Sequence, residues 1–90
     1  MDNGILKPKA RDGVTVQNLG DEVLLYDTEN DTVHVLNHTA YAIWDCCTGS
    51  NTVEDILETL SNKFPEVLQH DLKADMEATL QGFKEKKIVL

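Results

Sequence analysis

Cysteine is nearly missing from this 90-residue sequence and occurs only as the adjacent pair Cys46 and Cys47. Neighbouring cysteines rarely meet disulfide geometry, and one pair cannot staple a small secreted domain. Free thiols in a reducing compartment are the plain expectation. Long apolar runs are missing too. No stretch nears the roughly 20 residues that cross a bilayer as a helix. The opening MDNGILKPKARDG lacks the continuous apolar segment of about 7–15 residues that a signal peptide needs. A cytoplasmic location is expected. Positive charge is the third scarcity: 8 Lys and Arg stand against 16 Asp and Glu, for a net charge of −8. Between Gly20 and Asn62 there are nine acidic residues and no Lys or Arg. Such a surface repels phosphates, whereas nucleic-acid binders cluster positive charge to displace counterions. DNA, RNA and anionic membranes are therefore not expected as partners.

Catalytic and cofactor motifs are equally scarce. The five glycines lie apart, and no two share the spacing of a phosphate-binding loop. His34, His38, His70 and the two cysteines form no C-x-x-C or H-x-x-x-H pattern on one helix, so no metal is expected. The acidic stretch Asp21–Asp31 lacks the D-x-D-x-D-G spacing of a calcium loop and reads as solvated turns. Cys46 and Cys47 fall late in a predicted helix, whose negative end disfavours a thiolate. We expect packed thiols, no catalytic residue, no cofactor and no enzymatic activity.

What is present is a small globular composition, 41% hydrophobic and 27% charged, enough for one domain with a thin core. Residues 1–13 read as a flexible arm and 14–90 as the folded domain. Val14–Leu19 alternates as a strand does. Gly20-Asp21 makes a two-residue turn, and Glu22–Asp27 suits a second strand. After the polar Thr28–Asp31 comes a third, Thr32–Leu36. From Asn37 the period changes: Ala40, Ile43, Trp44 and Cys47 fall at i, i+3, i+4, i+7, the stripe of a helix with one buried face. Asn37 is placed to cap its start and Gly49 lies past its end. Thr52-Val53-Glu54-Asp55 resembles a capping box opening a second helix. Pro65 is expected at the first position of a third, with Leu68, Leu72, Met76, Thr79 and Phe83 on its inner face. Ile88–Leu90 is an apolar tail expected to pack back as a strand or core cap. The outline is an α+β, winged helix-turn-helix domain: a three-stranded antiparallel sheet followed by three helices.

That outline raises a DNA-binding regulator as an alternative, but where a recognition helix needs donors the predicted second helix offers Thr52-Val53-Glu54-Asp55 and the third Glu66, Gln69 and Asp71, mostly carboxylates that face a polyanion. A sheet edge is the other feature with functional content. Thr32-Val33-His34-Val35-Leu36 contains neither Lys nor Pro to protect it from pairing. An extended peptide can add to such an edge, through main-chain bonds and side-chain pockets. One of Val33 and Val35 is expected to turn its N–H outward and the other inward. The competing readings are a third strand in the middle of the sheet, an edge covered by the tail, or an oligomerisation module pairing with its own copy.

The run Leu36-Asn37-His38-Thr39-Ala40-Tyr41-Ala42-Ile43-Trp44, followed by Cys47-Thr48-Gly49 and Thr52-Val53-Glu54-Asp55-Ile56, resembles the signature of the PqqD family. The resemblance spans residues 14–90. It implies an adaptor that binds the leader of a ribosomally made precursor peptide and presents it to a modifying enzyme, often a radical enzyme with an iron–sulfur cluster. In that family the leader pairs with the third strand and lies against the third helix. This implicates Thr32, Val33, His34, Val35 and Leu36. Family leaders are often acidic, so on the helix we assign Lys73, Lys84 and Lys87 to the peptide side with Leu80, and Asp71 and Asp75 to the opposite flank. The motif residues Leu36, Ile43, Trp44, Val53 and Ile56 are expected in the core. The ending Lys-Lys-Ile-Val-Leu differs from the Gly-Trp-Leu-like end common in quinone-cofactor pathways, so another peptide pathway is implied.

Overall fold

The structure, a computed structural model, describes residues 7–89. Strands β1 (Val14–Asn18), β2 (Val23–Asp27) and β3 (Thr32–Leu36) form an antiparallel meander in the order β1-β2-β3. Gly20 takes φ +94°, a region open to glycine, and the Leu19 N–H closes the first turn on the Glu22 carbonyl at 2.8 Å. Alternation then sorts the side chains. Val23, Leu25 and Leu36 are buried towards the helices, while Tyr26, Val33 and Val35 stand exposed on the far face.

Three helices follow: α1 (His38–Asp45), α2 (Val53–Lys63) and α3 (Gln69–Glu85). The Asn37 side chain accepts the Ala40 N–H at 2.8 Å and caps α1. The capping box of α2 is complete. Asp55 N–H donates to Thr52 Oγ1 at 3.1 Å, and Thr52 N–H donates back to the Asp55 carboxylate at 3.0 Å. That backbone donor is the main cause holding the Asp55 carboxyl below the usual carboxylate range.

α3 begins later than expected. Proline disfavours a helical conformation in the residue before it, and Phe64 sits at φ −126°, ψ 65°. That ends α2 at Lys63; Pro65 itself enters a turn, closed by Val67 N–H on the Phe64 carbonyl at 3.1 Å, and the next helix starts only at Gln69. Its far end is a Schellman motif. Ile88 N–H reaches the Phe83 carbonyl and Lys87 N–H the Lys84 carbonyl, both at 3.0 Å. Lys87 occupies the left-handed position, φ +62°, that glycine usually fills.

The core lies between the sheet and the helices. Leu25, Ile43, Ile56, Leu60, Met76 and Ile88 are fully buried, each contributing about 1.5–3 kcal/mol by leaving water. Of the expected core residues, Leu36, Ile43 and Ile56 are buried, and Trp44 and Val53 pack half-buried at the margin. No described helix is long and apolar enough to cross a membrane.

The arm expected over residues 1–13 divides. Residues 1–6 lie outside the described residues, as does Leu90. The rest is tied to the domain: Ala10 N–H donates to the Cys47 carbonyl at 2.8 Å, Arg11 N–H to the Ile88 carbonyl at 2.9 Å, and Gly49 N–H to the Pro8 carbonyl at 3.0 Å. The reason lies in the tail. Ile88 and Val89 are buried, and their backbone groups need partners that water cannot supply. Ala10 bridges Val89 and satisfies that need.

Candidate functional site

The register decides which backbone groups of β3 are free. In an antiparallel pair, residues that exchange both bonds alternate with residues that turn both groups away. Leu19 bonds Glu22 and Thr28 bonds Gly13, so Leu24 and Tyr26 bond towards β1. Val23, Leu25 and Asp27 therefore bond towards β3, where they oppose Leu36, His34 and Thr32. The groups left facing outward belong to Val33 and Val35. Both N–H groups face the edge, which corrects the expectation that one faces out and the other in. Residues two apart on a strand share an orientation.

β3 is an edge strand, with no described strand beyond it. A groove opens at the Val35–Leu36 end of that edge and encloses about 340 Å³. One wall is Val35, Leu36, Asn37 and Ala40; the other is the Ala78, Thr79, Gly82, Phe83 and Lys86 side of α3. Small side chains at Ala78, Thr79 and Gly82 leave the space open. Leu36 and Phe83, 5% and 3% exposed, form an apolar floor. Lys86 puts one positive charge at the groove.

The residues expected from sequence divide accordingly. Val35 and Leu36 line the groove. Val33 adds an outward N–H, while Thr32 and His34 bond inward to β2 and are not at the groove's lining. On α3 the flank is the opposite of the one assigned. At about 100° per residue, Thr79, Gly82 and Lys86 share a flank with Asp71 and Asp75. Lys73, Lys84 and Lys87 lie across the buried stripe. Leu80 is 6% exposed and belongs to the core, and Lys87 terminates α3. Charge drew attention to the lysines, but the flank that faces β3 is set by how α3 packs on α1 and α2. The flank that lines the groove is marked in the sequence by small residues at helical spacing, Ala78, Thr79 and Gly82.

Arg11, expected in the arm, is the largest omission. Its guanidinium pairs with Asp27, the one buried charged residue among those described, and reaches Glu29 Oε1 at 2.8 Å. Asp27 also accepts from Asn30 Nδ2 at 2.8 Å and from the N–H groups of Glu29 and Asn30 at 3.1 and 3.2 Å. The Arg11 hydrogen bond, foremost among these, holds the Asp27 carboxyl far below the usual carboxylate range. On the outer face Tyr26 OH donates to Asp31 Oδ1 at 2.6 Å. The β2–β3 turn is thus braced from both sides before any ligand arrives.

The thiols are held neutral. Burial pushes Cys47 up to about 12, and its Sγ donates to the Ile43 carbonyl at 3.3 Å. Burial raises Cys46 as well. Burial thus disfavours the thiolate, the reactive form, at both positions. Among the described residues no three His, Cys, Asp or Glu are gathered as a metal ion would require.

A small α+β domain of winged-helix form, with an open strand edge facing a helix across a groove, is the class that fold and site define. The chain belongs to the PqqD family, whose model, described as coenzyme PQQ synthesis protein D, matches residues 22–89. Two solved structures share the fold. TbiB1 in complex with the TbiA(beta) leader peptide is 21% identical at a TM-score of 0.77, over 90% of this chain and 93% of that one. Lasso peptide synthetase B1 complexed with the leader peptide is 22% identical at 0.79, over 94% and 99%. No curated protein matches the sequence.

Proposed function

We propose that this chain is a leader-peptide-binding adaptor, which holds a precursor peptide as a fourth strand on β3 and presents it to a separate modifying enzyme. The observation that carries this reading is the pair of outward backbone groups at Val33 and Val35 beside a groove walled by α3. Main-chain bonds to that edge give affinity, and alternate peptide side chains then point into the groove. An apolar side chain over Leu36 and Phe83, with an acidic neighbour near Lys86, matches the lining. Both solved structures of the same fold are named as leader-peptide complexes, which supports the same reading. In this reading the chain supplies binding and orientation, the enzyme supplies the chemistry, and both act in the cytoplasm.

The regulator alternative finds no support in charge, since Glu54 and Asp55 open α2 and Asp71 opens α3. Titrating the labelled chain with the leader segment of a precursor encoded beside its gene tests the adaptor reading. Amide shifts are expected at Val33, Val35 and along 78–86. Shifts confined to β1 or α2 would put the peptide elsewhere, and a mass that doubles on light scattering without peptide would favour self-pairing.

A further inference from the structure

We propose that Arg11 is a positioning residue for the groove: from outside its lining, a single guanidinium ties the β2–β3 turn to the end of α3 and so fixes the separation of the two elements that carry the walls. The proposal rests on the peptide-binding reading and adds to it a residue that does not touch the peptide.

One wall holds the Val35–Leu36 end of β3, whose other end, Thr32, lies directly opposite Asp27 in the sheet register. The other is the last two turns of α3, which end at Lys86 and the left-handed Lys87. Arg11 bonds next to the start of β3 and just past the end of α3. Its terminal nitrogens hold Asp27 and Glu29 at the β2–β3 turn, and its Nε donates to the Lys87 carbonyl at 2.7 Å. The flanking backbone is anchored independently, by Arg11 N–H on the Ile88 carbonyl and by Thr28 N–H and Oγ1 on the Gly13 carbonyl. A planar fork with donors fixed at both Nε and the terminal nitrogens serves acceptors on two elements in one geometry, whereas the ammonium of lysine is a single point with no donor at the Nε position. The side chain is only 17% exposed and that of Asp27 not at all, so water does not readily substitute for either partner. Removing the guanidinium frees the Lys87 carbonyl, which sits on a residue in an unfavourable backbone region, and leaves a buried carboxylate without its counter-charge. The end of α3 then moves relative to β3, and the groove loses the spacing that lets a peptide bond to β3 and touch α3 together.

The test uses the full chain, with Arg11→Gln and Arg11→Lys, at a temperature where circular dichroism shows each variant fully folded. Amide hydrogen exchange without peptide is the first readout. Arg11→Gln is expected to speed exchange about tenfold at Glu29, Asn30 and Lys86–Ile88 while β1 and α2 stay unchanged. Affinity for the synthetic leader segment of the adjacent precursor is the second. It is expected to fall about tenfold in Arg11→Gln, with no rescue by Arg11→Lys. Unaltered local exchange and unaltered affinity in a folded variant overturn the proposal. So does a uniform rise in exchange with unchanged affinity, the mark of a residue that only stabilises. A wild-type chain that binds no leader overturns the peptide reading, and the exchange result then still decides whether Arg11 holds the two walls.

Discussion

Val33, His34 and Val35 are neighbours with opposite duties, and proline separates them. Proline removes an N–H, which an edge tolerates and a ladder does not. Val33→Pro and Val35→Pro delete outward donors, so each should leave the domain folded and weaken leader binding in a calorimetric titration. His34→Pro deletes a bond to β2 and should lower stability by about 1 kcal/mol or more in urea unfolding. The reverse pattern would mean that the register is shifted by one residue. The cysteines are distinguished by burial in the same way. Because alkylation needs the thiolate, Cys47 should resist iodoacetamide at pH 8 in the folded chain and Cys46 should react more slowly than a free thiol. Mass spectrometry of the digested product reads both, and a rapidly modified Cys47 would contradict its burial.

Among the elements, α3 carries the division between stability and binding. Gly82 lies at the start of the last turn of α3, and glycine within a helix costs up to about 1 kcal/mol relative to alanine. It has no positive φ to require it, and a Cβ there meets nothing within 4 Å. Packing therefore does not explain it, whereas the open groove does. Gly82→Ala should raise stability by about 0.5–1 kcal/mol while leader affinity falls, and Gly82→Leu should abolish binding in a chain that still folds. Opposite signs from one substitution, read by thermal melting and by titration, separate a binding role from a structural one. If both variants bind as tightly as wild type, the peptide does not pass over Gly82. Lys87 illustrates the contrary case: a lysine expected to meet the peptide serves instead as the left-handed end of the Schellman motif.

At the scale of the whole molecule the Arg11–Asp27 pair closes the structure, joining the amino-terminal strap, the β2–β3 turn and the end of α3. Its effect on stability has a definite sign. A carboxylate whose pKa is depressed by folding contributes stability that is present above the unfolded value, near 3.9, and is lost as pH falls through the folded one. Asp27 is such a group, and Asp55 is depressed in the same direction. Wild type should hold its melting temperature down to about pH 4 and lose it below. Asp27→Asn should melt lower at pH 7, and its difference from wild type should shrink as the pH is taken below about 4. A difference that stays constant down to pH 2 would show that the carboxylate charge contributes nothing.

Much of this architecture was legible residue by residue. The strands, the Gly20 turn, the Asn37 cap and the Thr52–Asp55 box are local, and their signals span only a few positions. The motif around Leu36–Trp44 and Thr52–Ile56 carried the family as well. Three matters were settled only by the folded chain. Which flank of α3 faces β3 depends on how the helix packs against α1 and α2, and charge pointed to the wrong side. Where α3 starts depended on a competition at Phe64-Pro65 between a turn and a helix, which local preference leaves near balance. The union of Arg11, Asp27 and Lys87 joins residues 16 and 76 positions apart. Sequence periodicity carries no trace of such a contact, because a buried charge finds its partner in space and not along the chain.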